Sequence, residues 1–230
     1  MNYNKYEDCI KAIEEDVFNI HYVPEEFKTE ELCTKAASIN GNILKYITDQ
    51  TEQMCIEAVK QDPKSLQYVR RDLKTDNVYL EAIKQQGYIL DKVPKERRTI
   101  EMCTEAIKQD PYCIKYVPFD LQTEEMYLDV VKQNGYILTY IQHQTEEICK
   151  EAVKQNPMSL KYVQDKTYDL CKLAVIEDVN ALNYVPEEFK DEEMFITAVK
   201  RNKNAIVFIK DEDLRYTVLE KTGNINQEES

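Results

Sequence analysis

One pattern recurs along nearly the whole chain of 230 residues, and it restricts the possible fold more than any other feature of the sequence. A segment that opens with Thr, or in one case with Asp, restarts every 22 or 24 residues. Its start positions are Thr29, Thr51, Thr75, Thr99, Thr123, Thr145, Thr167 and Asp191. Residues 4–28 form a first copy and residues 211–222 a truncated last copy, so we number the copies one to ten along the chain. Tandem copies of this length are typical of proteins in which each unit is stable only when it stacks on its neighbours.

The first part of each copy predicts an α-helix. In copy three, Thr51 suits the N-cap, because its hydroxyl can accept a free backbone N–H at the start of a helix. Met54, Cys55, Ala58 and Val59 follow at positions i, i+1, i+4 and i+5, which places them in one apolar stripe. The pattern therefore predicts an amphipathic helix whose stripe lies in the core.

The second part of each copy predicts another helix of only about two turns. Pro63 ends the first helix and can open the second, because proline is tolerated at a first helical position. Leu66 and Val69 are predicted to be buried. A helix this short is not stable alone, so neighbouring copies must hold it. Alternate copies carry glycine in place of the proline, and there we expect a left-handed residue that ends the first helix: Gly41, Gly87 and Gly135.

These features predict an all-α protein, an α-solenoid of about nine short helix-turn-helix repeats with a truncated C-terminal repeat. Residues 1–222 are predicted to form a single α-helical repeat domain, and residues 223–230 a polar C-terminal tail. Because Tyr79 and Tyr127 replace the cysteine in two of the glycine copies, the deeper unit is predicted to be a pair of copies.

Five stretches carry the same motif across the two parts of a copy: AVKQDPKSLQYV, AIKQQGYILDKV, AIKQDPYCIKYV, VVKQNGYILTYI and AVKQNPMSLKYV. They resemble the short tandem helical repeats found in proteins of unknown function from giant viruses of amoebae and from some intracellular bacteria. The resemblance covers nearly the whole chain. It implies a helical repeat fold and, for a source of that kind, a location in the host cytoplasm, but it brings no catalytic residues with it.

Composition argues against several other classes of protein. No apolar run approaches the roughly 20 residues needed to cross a bilayer, and the first eight residues lack the apolar stretch of a signal peptide. A cytoplasmic protein without membrane contact is therefore expected. With two histidines and no paired carboxylates outside the repeat pattern, we expect no enzyme activity, no cofactor and no metal site. The oligomeric state is left open.

Seven cysteines leave an odd count, which favours free thiols. Cys113 stands alone in a slot for small residues, and the other six share one slot of the repeat: Cys9, Cys33, Cys55, Cys103, Cys149 and Cys171. We interpret them as inert buried thiols. The alternative is a redox or metal role, although no Cys-x-x-Cys motif supports it.

An aromatic residue near the end of each copy forms a ladder along the chain: Tyr22, Tyr46, Tyr68, Tyr116, Tyr140, Tyr162, Tyr184 and Phe208. Such a row could stack the bases of a single-stranded nucleic acid. Packing between copies, with each hydroxyl at a polar rim, explains it more simply. A net charge of −13 also repels a phosphate backbone, so no direct binding of nucleic acid is expected.

Two further regularities are predicted to be structural. Five lysines follow an acidic residue by three positions, and such pairs add a little stability on a solvated helix face: Lys60, Lys84, Lys108, Lys132 and Lys154. The glutamine after each of them is predicted to satisfy backbone groups between copies: Gln61, Gln85, Gln109, Gln133 and Gln155.

Copies three and four depart from the pattern in their charge. Lys92 stands where the ladder has Tyr, and Arg97 stands where other copies have Phe or Leu. Residues 29–98 carry 12 basic and 11 acidic side chains, whereas the rest of the chain is strongly acidic. The hypothesis is a basic strip that binds an acidic partner surface: Arg70, Arg71, Lys92, Lys95, Arg97 and Arg98. The alternative is a solvated edge where one repeat packs imperfectly.

The function predicted from these features is a non-enzymatic scaffold that mediates protein–protein interaction, with a partner whose identity the sequence leaves open. The alternative is an acidic mimic of nucleic acid that occupies a basic site on a host or defence protein.

Overall fold

The computed structural model describes residues 5–224, and all regular structure in that range is helical, without strands. The first part of every copy is an α-helix, numbered here with its copy. Nine of these helices have ten residues and the last has eleven: α1 Tyr6–Glu15, α2 Glu30–Ile39, α3 Glu52–Gln61, α4 Asp76–Gln85, α5 Ile100–Gln109, α6 Glu124–Gln133, α7 Glu146–Gln155, α8 Tyr168–Glu177, α9 Glu192–Arg201 and α10 Glu212–Thr222. The predicted all-α repeat fold is confirmed.

The second part of copies one to nine is a six-residue 3-10 helix, which follows the α-helix after one residue. These short helices are Val17–Tyr22, Gly41–Tyr46, Pro63–Tyr68, Gly87–Lys92, Pro111–Tyr116, Gly135–Tyr140, Pro157–Tyr162, Val179–Tyr184 and Lys203–Phe208. The predicted length of two turns is correct, at three residues per 3-10 turn. The 3-10 geometry itself is a finding of the structure.

A third element accounts for the two repeat lengths. Each copy of 24 residues contains an extra 3-10 turn before the next copy, and the copies of 22 residues lack it. Copy one also contains this extra turn. The five turns are Glu25–Phe27, Arg71–Leu73, Lys95–Arg97, Phe119–Leu121 and Glu187–Phe189.

Side chains cap both helices of a copy. The residue that opens each of copies two to ten is the N-cap of its α-helix, as predicted, and its oxygen accepts the backbone N–H three residues later. The residue between the two helices has a role that the sequence did not indicate. In copy three the backbone N–H of Asp62 donates to the Ala58 carbonyl, while its carboxylate accepts the Lys64 backbone N–H at 2.9 Å. One Asp or Asn thus ends the α-helix and starts the 3-10 helix.

The apolar stripe lies in the core as predicted. Met54, Cys55, Ala58 and Val59 of α3 are all buried. Equivalent residues are buried in the other α-helices from α2 to α9. Leu66 and Val69, predicted to be buried in the second part of copy three, are buried too.

The three repeat glycines are not left-handed, so that part of the prediction is wrong. Among the described residues Gly223, after α10, is the one residue with a positive φ, of 69°. A Cβ on Gly41, Gly87 or Gly135 would instead lie 2.3–2.5 Å from a backbone carbonyl oxygen of the next copy. These positions require glycine because two copies approach each other closely there.

The chain divides into two compact units, and the boundary along the sequence lies between Gln122 and Thr123. In the first unit α2 packs on α3, α3 on α4, and α4 on α5. In the second unit α6 packs on α7, α7 on α8, α8 on α9, and α9 on α10. Copies therefore stack in chain order within each unit, while the single domain over residues 1–222 stays a prediction. Residues 225–230 of the predicted tail lie outside the described range.

Candidate functional site

The six residues of the predicted basic strip lie around the extra 3-10 turns of copies three and four. Arg70 precedes the turn of copy three and Arg71 opens it. Lys92 ends the six-residue 3-10 helix of copy four, Lys95 opens the extra turn, and the two arginines that follow close it. The structure separates these six residues into two groups: an internal group, Arg97 and Arg98, whose side chains donate to a backbone carbonyl of another copy, and four exposed cations.

Arg98 belongs to the internal group, because its guanidinium binds backbone carbonyls of two copies. It donates to the Val93 carbonyl at 3.0 Å within its own copy, and to the Tyr116 carbonyl of copy five. Three glutamines fill the same slot before a Thr N-cap elsewhere: Gln50, Gln122 and Gln144. Gln50 donates to the carbonyls of Leu44 and Tyr68, at 3.0 and 2.9 Å. Arg98 is therefore a connection between copies.

Gln144 makes the equivalent connection in the second unit. Its amide nitrogen donates to the carbonyls of Leu138 and Tyr162, and its oxygen accepts the backbone N–H of Gln164 at 3.0 Å. Sequence reasoning missed this slot. The signal that could have found it is the recurrence of a polar residue directly before the N-cap Thr.

Arg97 is also held within the chain. Its Nε donates to the Asp76 carboxylate at 3.1 Å and its Nη1 to the Lys74 carbonyl at 2.7 Å. The guanidinium carbon lies 5.2 Å from the centre of the Tyr79 ring, in a cation–π contact. Arg97 therefore occupies a position that is apolar in other copies, with its guanidinium stacked on Tyr79 and paired with Asp76.

The remaining cations of the strip reach solvent. Arg70 forms a two-pronged ion pair with Asp72, at 3.1 and 2.9 Å, and Lys92 lies 3.2 Å from Asp91. Arg71 and Lys95 are exposed, and neither has an ion-pair partner in residues 5–224. Both open an extra 3-10 turn, so two consecutive copies place a cation at the same position.

The junction between copies three and four also lacks a ring contact found elsewhere. At the junctions one–two and six–seven, the second residue of one six-residue 3-10 helix packs against the ladder aromatic of the next. Phe18 lies 6.4 Å from Tyr46, and Tyr136 lies 6.1 Å from Tyr162, measured between ring centres with the rings near perpendicular. Between copies three and four, Lys64 and Lys92 occupy these two positions.

A cavity of about 530 Å³ lies at this junction. Its lining comes from the six-residue 3-10 helices of copies three and four and from Lys74 and Tyr79. A second cavity, of about 360 Å³, lies in copies eight to ten and includes acidic and basic residues in its lining.

Copy four departs from the repeat at one more position. Gln86 stands where other copies have the Asp or Asn that caps the 3-10 helix, and it makes no capping bond. Its side-chain oxygen is buried without a hydrogen-bond partner in the described part of the chain. The irregularities of this copy therefore extend from its helix junction to its extra turn.

All seven cysteines are free and buried. Burial raises the pKa of five of the thiols to about 11 and that of Cys113 to about 12. Thiols of this kind are poor nucleophiles, in agreement with the interpretation as packing residues. Across residues 5–224 no three His, Cys, Asp or Glu side chains come together as a metal would require.

The aromatic ladder lies at the edge of the core. Tyr22 and Tyr140 are exposed, and the other members are half-buried. Lysines that precede ladder residues lie over their rings, with Nζ 4.8 Å from the centre of Tyr46, 4.9 Å from Tyr116 and 5.6 Å from Tyr162. In copy four this Lys–Tyr pair is replaced by Asp91 and Lys92.

The other predicted structural roles are largely present. Lys60, Lys84, Lys108 and Lys154 pair with the acidic residue three positions earlier, at 2.7–3.2 Å. Gln61 accepts the Gly41 backbone N–H at 2.8 Å, and Gln155 accepts that of Gly135 at 2.6 Å. In both cases the glutamine belongs to the copy that follows the glycine. Within the described range, no helix is both long enough and apolar enough to cross a bilayer.

The profile of one protein family, described as a domain of unknown function (DUF4116), matches this chain five times in tandem. The matched ranges are 6–52, 51–98, 76–122, 123–166 and 167–215. Each match spans two copies, which supports the predicted pairing. The second and third matches overlap in copy four, so the matches do not all divide the chain into the same pairs. Searches of the curated proteins and of the solved structures found no match. With matches that together run from residue 6 to residue 215, the chain belongs to the family of tandem helical repeats described as a domain of unknown function (DUF4116).

Proposed function

We propose that the protein is a non-enzymatic, cytoplasmic scaffold that binds an acidic surface of another protein through the exposed cations of copies three and four. The observation that carries this proposal is the position of Arg71 and Lys95. Both open an extra 3-10 turn, a position that is Glu25 in copy one, Phe119 in copy five and Glu187 in copy eight. Two adjacent copies of an acidic protein thus present cations at a slot that carries acid in copies one and eight and a cation in no other copy that has the turn.

Repeat architecture supports a scaffold, because residues outside the shared core can vary without changing the stack. The caps, the apolar stripe and the glycine slot account for the recurring residues of a copy. The first residue of each extra turn varies between copies and faces solvent. Seven free thiols agree with a reducing compartment such as the cytoplasm.

The test is a charge reversal limited to cations without an internal partner. The variant Arg71→Glu/Lys95→Glu is compared with Lys11→Glu/Lys200→Glu, which changes the net charge equally at exposed positions elsewhere. Wild type and both variants serve as bait for partner capture. The dissociation constant of each captured protein with each bait is then measured with purified components. We expect an acidic partner whose dissociation constant rises at least tenfold, mainly through slower association, in the first variant only. Equal affinity of all three baits for every captured protein would contradict the proposal.

Acidic mimicry is the second candidate, and the first turns of the α-helices favour it. In the second unit α6, α7, α9 and α10 each carry two acidic residues there. Part of this acid is engaged internally, since Glu193 pairs with Lys172 and Glu192 with Lys221. A basic partner whose affinity is unchanged by Arg71→Glu/Lys95→Glu and falls steeply with salt would support mimicry instead.

A further inference from the structure

We propose that the cavity between copies three and four is a pocket for one large apolar side chain, preferably aromatic, from an acidic segment of the partner protein. This proposal rests on the proposed function, since it describes how the acidic partner is held. It adds the pocket that holds the partner and the kind of segment that enters it, an apolar side chain flanked by acidic residues.

The cavity is suited to an apolar side chain. Its volume of about 530 Å³ falls within the range of ordinary ligand pockets. Leu66 and Ile89 line it from the two 3-10 helices, and Pro63, Tyr79 and Tyr88 complete the apolar lining. Tyr88 is 42% exposed and stands at the edge, so a bound ring can pack against it.

Two lysines border the cavity at positions that carry rings in other copies. Lys64 and Lys92 hold the positions that carry paired rings at the junctions one–two and six–seven. Two flexible ammonium side chains repel each other and do not fill that space as two rings do.

The polar part of the lining is cationic. It consists of Lys64, Lys74, Lys92 and Gln67, without a carboxylate. In residues 5–224 neither Lys64 nor Lys74 has an ion-pair partner, and Lys92 has the exposed Asp91. Three ammonium groups around an apolar floor are complementary to an apolar side chain flanked by Asp or Glu, because the flanking carboxylates reach the rim while the side chain enters.

The probe is a blocked peptide, Glu-Asp-Phe-Asp-Glu, titrated into the full chain labelled with nitrogen-15 and followed at the backbone amides of Leu66 and Ile89. Peptides with Ala in the centre or with Lys flanks serve as controls, and 3-phenylpropionate supplies the same chemistry without a peptide. The test variant Lys64→Tyr/Lys92→Tyr fills the cavity with the ring pair of Tyr136 and Tyr162. Lys11→Tyr/Lys200→Tyr adds the same groups away from the cavity. Thermal unfolding confirms that both variants fold.

We expect the Phe peptide to shift both amides in wild type and in Lys11→Tyr/Lys200→Tyr, and to bind at least tenfold more weakly to the filled variant. The Ala peptide should bind at least about tenfold more weakly to wild type, the loss expected for one buried aromatic side chain. The absence of binding, or equal binding by the Ala peptide, would overturn the pocket. If 3-phenylpropionate binds as tightly as the peptide, an acidic segment is the wrong occupant.

The two proposals fail in different ways. If Lys64→Tyr/Lys92→Tyr leaves the affinity for the captured partner unchanged while Arg71→Glu/Lys95→Glu lowers it, the pocket is wrong and the scaffold proposal stands. If neither variant changes that affinity, both proposals are wrong.

Discussion

At the scale of single residues, the repeat glycines show how a packing requirement can resemble a conformational one. Their backbone is not left-handed, so any residue could adopt it. Glycine is needed because the chain lies against a carbonyl of the next copy. The Gly135 N–H is also bonded to Gln155 at 2.6 Å, which excludes proline at that position. The neighbouring copies carry proline in the same slot, which has no N–H to satisfy. The alternation of Gly and Pro therefore reflects two kinds of junction between copies, one with a backbone N–H at this slot and one without.

Gly135→Ala tests this explanation. The added Cβ would lie 2.3 Å from the Ala152 carbonyl oxygen, so copies six and seven must move apart. We expect the free energy of unfolding to fall by about 1–3 kcal/mol, the usual cost of overpacking, measured by urea denaturation. Pro157→Ala, in the same slot of the next copy, should cost only about 0.4–1 kcal/mol through the unfolded chain. Equal losses in the two variants would contradict close approach as the reason for glycine.

At the scale of elements, the residue before the N-cap connects one copy to the next at three junctions. Gln50 and Gln144 do so with an amide, and Arg98 does so with a guanidinium. Each of the three donates to a carbonyl 18 positions further along the chain. An interaction of this kind holds a short 3-10 helix that has little stability of its own. It also removes Arg98 from the set of cations open to a partner.

The corresponding prediction compares two substitutions at Arg98. Arg98→Ala leaves carbonyls of copies four and five without their donor, and we expect a loss of about 1–3 kcal/mol in the free energy of unfolding. Arg98→Gln should retain most of the stability, because Gln50 and Gln144 hold the same slot. Lys95→Ala, at an exposed position nearby, should change it by less than about 0.5 kcal/mol. A stable Arg98→Ala protein that has lost its partner would instead assign Arg98 to binding.

At the scale of the whole molecule, a thiol recurs in the core of most copies, so one type of group titrates throughout the structure. Burial raises the pKa of these thiols from 9.0 to about 11 or higher in six of the seven. Between pH 9 and 11 the unfolded chain therefore releases protons that the folded chain retains. Stability that is fully present below pH 9 must fall as the pH rises through this window.

We expect the free energy of unfolding, measured in urea at steps from pH 8 to pH 11, to decrease above pH 9. Each thiol can contribute up to about 3 kcal/mol of this decrease at pH 11. Cys171→Ala removes one such group, so its curve should be shallower than that of wild type even if its stability at pH 8 is lower. The comparison of slopes isolates the thiol from the lysines and tyrosines that titrate in the same range. Parallel curves would show that Cys171 does not titrate as a buried thiol.

The sequence by itself determined the number and length of the copies, the α-helix with its Thr N-cap, and the apolar stripe that includes Cys55 and Ala58. These features depend on residues within one or two helical turns of each other, where spacing and capping act locally. The tertiary structure alone decided why Gly41 must be glycine, why Arg97 and Arg98 face inward, and where the lysines leave a cavity. Each of these depends on contacts with residues about 17 to 28 positions away in the chain. The backbone path of the neighbouring copy sets such contacts, and no pattern within a single copy contains that path.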